Sequence, residues 1–194
     1  YVPERRISPE KELEIIGMLR GQIQRLENYV RKMSEVQKLE DITPCYQKTD
    51  YGVLFSLCMD TARQLDERII VREGGALEPG TVCLDRELVL EVLENLLSNA
   101  SAYAKDRIVL TITKGAEELE LCVEDDGCGF SEEALRMAGS PFYREEGSKS
   151  RLHFGLGLYI CKLICEKSGG RLSLANGPDG TGGVVRAVFA LYQK

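Results

Sequence analysis

Histidine occurs once in this chain, at His153, and the seven cysteines include no Cys-x-x-Cys pair. A zinc site therefore has little to draw on. Cys161 and Cys165 stand four apart in an apolar helical pattern and read as small buried residues. The thiols are expected to be reduced, cytoplasmic and structural. No apolar run reaches the roughly 18 residues that a membrane span requires. The opening Tyr1-Val2-Pro3-Glu4-Arg5-Arg6 is charged and no apolar block follows it, which argues against a secretory leader. Nor is there an excess of cations: 25 Lys and Arg face 31 Asp and Glu, for a net charge of −6. Nucleic-acid binding needs clustered cations, so it is not expected. No internal repeat or low-complexity segment is present.

The 194 residues, 43% of them hydrophobic, suffice for one sizeable core and an appendage. Ser8-Pro9-Glu10 reads as a helix start, with a hydroxyl cap, proline at the first helical position and then an acid. Ile16, Leu19, Ile23, Leu26, Val30 and Met33 then recur in steps of three and four, a heptad seam. Ile15, Tyr29 and Val36 widen the stripe. The pattern fades over Lys38–Asp41, and Pro44 opposes continuation. A helix of about 30 residues exceeds the usual globular length, and no second helix follows to pair with it. Residues 1–43 are thus expected to form a helical stalk whose partner comes from elsewhere.

From Pro44 to Lys194 the pattern changes to mixed strands and helices. Expected are a strand over Cys45–Lys48, a helix over Asp50–Asp66, and strands over Arg68–Arg72 and Thr81–Leu84. A helix follows over Asp85–Ala104, then a hairpin of Arg107–Thr113 and Glu118–Glu124. The stretch from Asp126 to His153 is too long for a plain connection and reads as a lid or binding loop, with a short helix at Glu132–Met137. A helix over Gly155–Lys167 and strands over Arg171–Ala175 and Val184–Leu191 complete an α+β sandwich with helices on one face of a sheet.

Three clusters carry chemistry. In Asn95-Leu-Leu-Ser-Asn99, spacing i and i+4 puts two amides on one helix face, where asparagine is a mediocre interior residue. Either both are merely solvated, or an amide oxygen reaches a hard cation such as Mg²⁺. Asp125-Asp126-Gly127-Cys128-Gly129-Phe130 follows a strand; glycine permits a tight turn and close approach to a flat ligand. A carboxylate there can accept a hydrogen bond from an exocyclic amine, although an ordinary glycine turn would read the same. Gly155-Leu156-Gly157-Leu158 opens a helix, whose free N–H groups suit phosphates. No Gly-Lys-Ser/Thr follows it, so it is not a Walker A loop, and it is not a Rossmann fingerprint.

The order of these clusters resembles the ATP-binding domain of sensor histidine kinases, in the superfamily shared with type II topoisomerases, heat-shock chaperones and mismatch-repair ATPases. The resemblance covers residues 44–194. Pro141-Phe142-Tyr143-Arg144 looks like the aromatic box of that family's lid, and Gly169-Gly170-Arg171 extends the match. The stalk looks like the second helix of the dimerisation hairpin. The resemblance implies ATP and Mg²⁺ as cofactors, with Asn99 on the metal and Asn95 beside the phosphates. It implies that Asp125 reads the adenine amine, that Gly127 and Gly129 let the base sit close, and that Tyr103 lines its pocket. Gly155, Leu156 and Gly157 would wrap the phosphates. Where the family often carries Lys or Arg after the metal asparagine, this chain has Ala102, leaving Lys105, Lys149 and Arg151 as candidate phosphate cations. His153 and Phe154 replace a further family glycine.

The family's acceptor histidine, beside an acid on the first dimerisation helix, has no counterpart, since His153 lies in the lid. The expected reading is a piece that begins after the acceptor helix, binds ATP and donates the γ-phosphoryl to a histidine it does not contain. The full protein would be a membrane-anchored bacterial homodimer whose cytoplasmic kinase domain serves a response regulator. A hydrolase is disfavoured: the hydrolytic branches carry glutamate at the place of Asn95, and an amide cannot accept a proton at neutral pH. Glu91 and Glu94 are removed from the Asn95/Asn99 pair by the helical spacing or by a full turn. Two alternatives remain, a serine-directed kinase of the anti-sigma-factor type, which lacks such a stalk, and a nucleotide-binding interaction module without catalysis.

Overall fold

The computed structural model describes residues 8–75, 80–137, 139–140, 156–178 and 180–192. The chain divides into two units, Tyr1–Lys38 and Leu39–Lys194. The first carries α1 (Pro9–Glu40), whose opening turn holds Glu10 and Glu12, favourable beside the helix N-terminus. Its apolar residues Leu13, Ile16, Leu19, Ile23, Leu26 and Val30 are all exposed. None of the helices in the described residues is long and apolar enough to cross a membrane.

The second unit is built from helices whose starts are set by acidic caps. Asp50 ends β1 (Gln47–Asp50) and accepts from the Val53 N–H at 3.1 Å, starting α2 (Tyr51–Leu65). After β2 (Ile69–Glu73) and β3 (Thr81–Leu84), Asp85 accepts from the N–H groups of Glu87 and Leu88, starting α3 (Arg86–Tyr103). The Asp85 carboxylate also takes the Cys45 N–H at 2.7 Å, tying the segment before β1 to this helix. β4 (Ile108–Lys114) and β5 (Glu118–Asp125) form the expected hairpin, and α4 (Glu132–Met137) is the short helix. α5 (Gly157–Lys167), β6 (Arg171–Asn176) and β7 (Gly183–Ala190) follow. Only β1 is displaced noticeably from its expected range, lying two residues later because Asp50 is both its last residue and the helix cap.

Five strands form one sheet in the order β2-β4-β5-β7-β6, and β1 pairs with β3 in a small separate one. β2 and β4 are parallel, joined through β3 and α3; every other pair in the large sheet is antiparallel. One face of the sheet is apolar: Ile108, Leu110, Ile112, Leu119, Leu121, Val123, Val185, Ala187 and Phe189 are all buried. Tyr51, Leu54 and Cys58 of α2, Leu88, Val92 and Leu96 of α3, and Ile160 and Ile164 of α5 complete the buried layer. Each buried Val, Leu, Ile or Phe side chain among them contributes roughly 1.5–3 kcal/mol. On the other face glutamates alternate along β5, and Arg171 pairs with Glu118 while Arg186 pairs with Glu120 across the strands. The architecture is the α+β sandwich expected.

Cys58, Cys122, Cys161 and Cys165 are buried and behave as packing residues, whereas Cys45 and Cys128 are exposed. All seven are free thiols, and burial pushes Cys58 and Cys165 up to about 12, which keeps them protonated. Cys161 Sγ lies 3.8 Å from the Val92 carbonyl oxygen, where α5 crosses α3.

α5 ends in a paired turn: the Gly170 N–H donates to Cys165 O at 2.8 Å and the Gly169 N–H to Glu166 O at 3.1 Å, with Gly169 at φ +71°. A Cβ on Gly170 would fall on the carbonyl oxygen of Val188. Gly170→Ala is therefore expected to destabilise the domain by about 1–3 kcal/mol in urea denaturation, as overpacking does.

Candidate functional site

One rim of the large sheet gathers the residues singled out above. Ile108 at the start of β4 pairs with Asp125 at the end of β5, and Asn176 at the end of β6 pairs with Gly183 at the start of β7. Beyond these strand ends the chain turns, and the turns touch one another.

The Asp125 carboxylate is held in this rim by main-chain donors. Its Oδ1 accepts from the Gly127 N–H at 2.8 Å and the Gly183 N–H at 3.2 Å. Burial raises its pKa, and the two N–H groups offset only part of that effect. Both donors are close because no side chain stands between. A Cβ on Gly127 would lie 2.5 Å from the Tyr103 carbonyl oxygen, and one on Gly183 would lie 2.7 Å from Asp125 Oδ2. With Oδ1 doubly occupied, Oδ2 is the acceptor left for a ligand.

The first of the two asparagines of α3, Asn95, faces the start of α5. Asn95 Nδ2 donates to the Glu91 carbonyl at 2.9 Å, which fixes the amide and leaves Oδ1 pointing away from its own helix. A Cβ built on Gly157 would come 3.5 Å from that Oδ1, in van der Waals contact. Asn95 and Asn99 are both half-buried. Leu156, the residue before α5, is buried and gives the helix no side-chain cap. The first N–H groups of α5 thus begin beside the Asn95 amide, and among the described residues no side-chain cap closes them off.

Tyr103 and Lys105 lie where α3 runs into β4, and both side chains are exposed. Gly129 adopts φ +75° in the turn after Asp125. The remaining candidates, Lys149, Arg151 and Gly155, lie outside the described residues, as do the Pro141–Arg144 box, His153 and Phe154. Sequence reasoning thus named residues from three segments, and the structure brings two sets together: Asp125, Gly127 and the Tyr103 carbonyl in one, Asn95 and Gly157 in the other.

Three residues that shape the rim went unnoticed in the sequence. Asp126 accepts from the N–H groups of Lys105 (2.8 Å), Asp106 and Arg107, holding the turn after α3. Burial opposes ionisation of Asp126, but these three donors outweigh it and its pKa is lowered. Arg68 caps the same C-terminal end of α3: its guanidinium donates to the carbonyls of Ser101 (2.9 Å), Ala104 (3.0 Å) and Lys105 (3.3 Å). It also forms a bidentate pair with Asp66, at 2.6 and 3.0 Å, which holds the Asp66 carboxyl well below the usual range. Asn176 grips Phe130 from β6, through Oδ1 to its N–H at 2.6 Å and Nδ2 to its carbonyl at 2.8 Å. No periodicity announces such contacts.

With this geometry in place the comparisons can be stated. The family model for histidine kinase-, DNA gyrase B- and HSP90-like ATPases matches residues 84–193, more than half of the chain. The chain belongs to that ATPase family. A curated relative, sensor protein SrrB of Staphylococcus aureus, is 36% identical over 94 residues, covering 46% of this chain and 16% of the staphylococcal protein. The chain thus matches a small part of that relative's length. Among solved structures, ShkA in complex with AMPPNP superposes with a TM-score of 0.71 at 18% identity, covering 97% of this chain and 41% of that one. Histidine kinase AdeS of Acinetobacter baumannii gives 0.65 at 19% identity, covering 92% and 84%, and the mycobacterial sensor histidine kinase MprB 0.60 at 20%, covering 76% and 100%. These structures share the fold.

The three aspartates of the rim are expected to separate in a carboxyl NMR titration. Asp125 should titrate above 3.8, the ordinary aspartate value, and Asp66 and Asp126 below it. The sign follows for stability. Asp66, depressed, stabilises the fold above 3.8 and loses that contribution as pH falls through its folded value. Asp125, raised, costs stability while ionised, and acid relieves the cost.

Proposed function

We propose that this chain is the ATP-binding catalytic domain of a two-component sensor histidine kinase, carrying the second helix of the dimerisation hairpin over residues 1–43 and the catalytic domain over 44–194. The observation that carries the reading is the placement of the Asn95 amide oxygen against Gly157 in the first turn of α5, one helical turn from Asn99 on the same helix.

The residues present fit a magnesium nucleotide. Asn99 offers a neutral oxygen, the kind of ligand Mg²⁺ accepts while keeping water and phosphate for the rest of its shell. Asn95 lies beside the phosphates, which the first N–H groups of α5, from Leu156 and Gly157, receive together with Gly155. Lys105, Lys149 and Arg151 supply cationic charge to them. Asp125, through Oδ2, accepts from the adenine amine, Gly127 and Gly129 leave room for the base, and Tyr103 lines its pocket. Bound Mg·ATP supplies the γ-phosphoryl group and neutralises charge as it transfers. The chain's own part is to orient the nucleotide and present it to an acceptor histidine on the partner helix of the hairpin. A response regulator then takes the phosphoryl group, in a full-length protein anchored in a bacterial membrane as a homodimer.

An ATP hydrolase fits less well. The group facing α5 is an amide, not a carboxylate, and an amide cannot serve as general base. The half-buried Glu91 lends its carbonyl to Asn95, while Glu94 is exposed.

Calorimetric titration of Mg·ADP and an unhydrolysable Mg·ATP analogue is expected to show saturable binding. Asn99→Ala should abolish the Mg²⁺ dependence, and Asp125→Asn should weaken binding about tenfold, the loss of one charge-assisted hydrogen bond. No binding by a folded sample would leave the interaction-module reading in place. The purified chain is further expected neither to acquire acid-labile phosphate nor to turn over free ATP at about 1 per second or faster. Turnover at that rate would defeat the transfer reading.

A further inference from the structure

Phe130 closes the glycine turn that carries Asp125, and its main chain is held from outside that turn. Both ends of the Asn176 amide are spent on it, Oδ1 at 2.6 Å from the N–H and Nδ2 at 2.8 Å from the carbonyl oxygen. Gly129, at φ +75°, brings the chain round to this grip, and a Cβ there would lie 2.7 Å from Asn176 Oδ1. The Phe130 ring then lies against Gly183: a Cβ on that glycine would be 3.0 Å from Cε2 and 3.3 Å from Cζ. Gly183 is the second N–H donor to Asp125 Oδ1. A path of direct contacts therefore runs from Asn176 through Phe130 and Gly183 to the carboxylate. Asn176 also pairs with Gly183 in the β6–β7 ladder, so the same residue holds that glycine from two sides.

We propose that Asn176 is a positioning residue for recognition of the base, setting the orientation of Asp125 through Phe130 and Gly183 without touching the nucleotide. The inference rests on the reading of Asp125 as the acceptor for an exocyclic amine. A side chain that fixes one acceptor oxygen controls discrimination between bases more than affinity for phosphate.

Titration of Mg·ADP against Mg·IDP tests this, because inosine carries a carbonyl oxygen where adenine carries the amine. Wild-type protein is expected to prefer ADP. Asn176→Ala should weaken ADP by roughly tenfold and leave IDP nearly unchanged, so that the preference collapses. Asn176→Asp, of the same shape, sets a carboxylate oxygen against the Phe130 carbonyl and should behave alike; it serves as the second variant where alanine loosens the fold. Equal weakening of ADP and IDP, or weakening of neither, would overturn the positioning role while leaving the nucleotide site intact. Wild-type protein that binds ADP no tighter than IDP would instead remove the Asp125 assignment, and this inference with it.

Discussion

A carboxylate can be withdrawn from water only where donors replace the water it loses. At the end of β5 the donors available to Asp125 are main-chain N–H groups, and a main chain reaches a carboxylate closely only where no Cβ intervenes. That requirement accounts for glycine at 127 and 183, whose added Cβ atoms would meet Tyr103 O and Asp125 Oδ2. It also brings the turn after β5 and the turn before β7 together, with the Gly182 N–H donating to Gly127 O at 3.1 Å. The rest of the rim is arranged around this condition.

The helices contribute through their ends. α3 is closed at both: Asp85 takes N–H groups at its start and Arg68 supplies donors to carbonyls at its finish. A helix so fixed carries Asn95 and Asn99 one turn apart. α5 is treated unequally, closed by the Gly169-Gly170 turn at its C-terminus and without a side-chain cap at Leu156. The open end is the one that meets Asn95. One terminus of this short helix is thus closed by its own turn, and the other lies beside an amide.

Much of this was legible in the sequence, for identifiable reasons. Apolar residues in α3 recur at helical spacing because one face is buried, and β4 and β5 alternate because the two faces of the sheet meet different surroundings. The Asn95/Asn99 pair and the Asp125–Phe130 turn were visible because residue types poor in their local setting ask for another cause. Arg68, Asp126 and Asn176 were not visible. Each acts on the main chain of a segment 19 to 46 residues away, and a hydrogen bond to a main-chain atom leaves no mark on the residue it reaches. Arg68 read as the first residue of a strand, and Asn176 as the residue just past one. The register of β1 was missed for a related reason, since Asp50 belongs to a strand and a helix at once.

Every turn of the rim lies at strand ends, whereas the buried layer lies along strand middles and helix faces. On the reading proposed for Asp125, substitution there alters what the molecule prefers to hold; substitution in the layer alters whether it folds. The two properties are written in separate stretches of chain and can drift independently, so a lineage built on this scaffold can change its ligand chemistry while its interior stays nearly as it was.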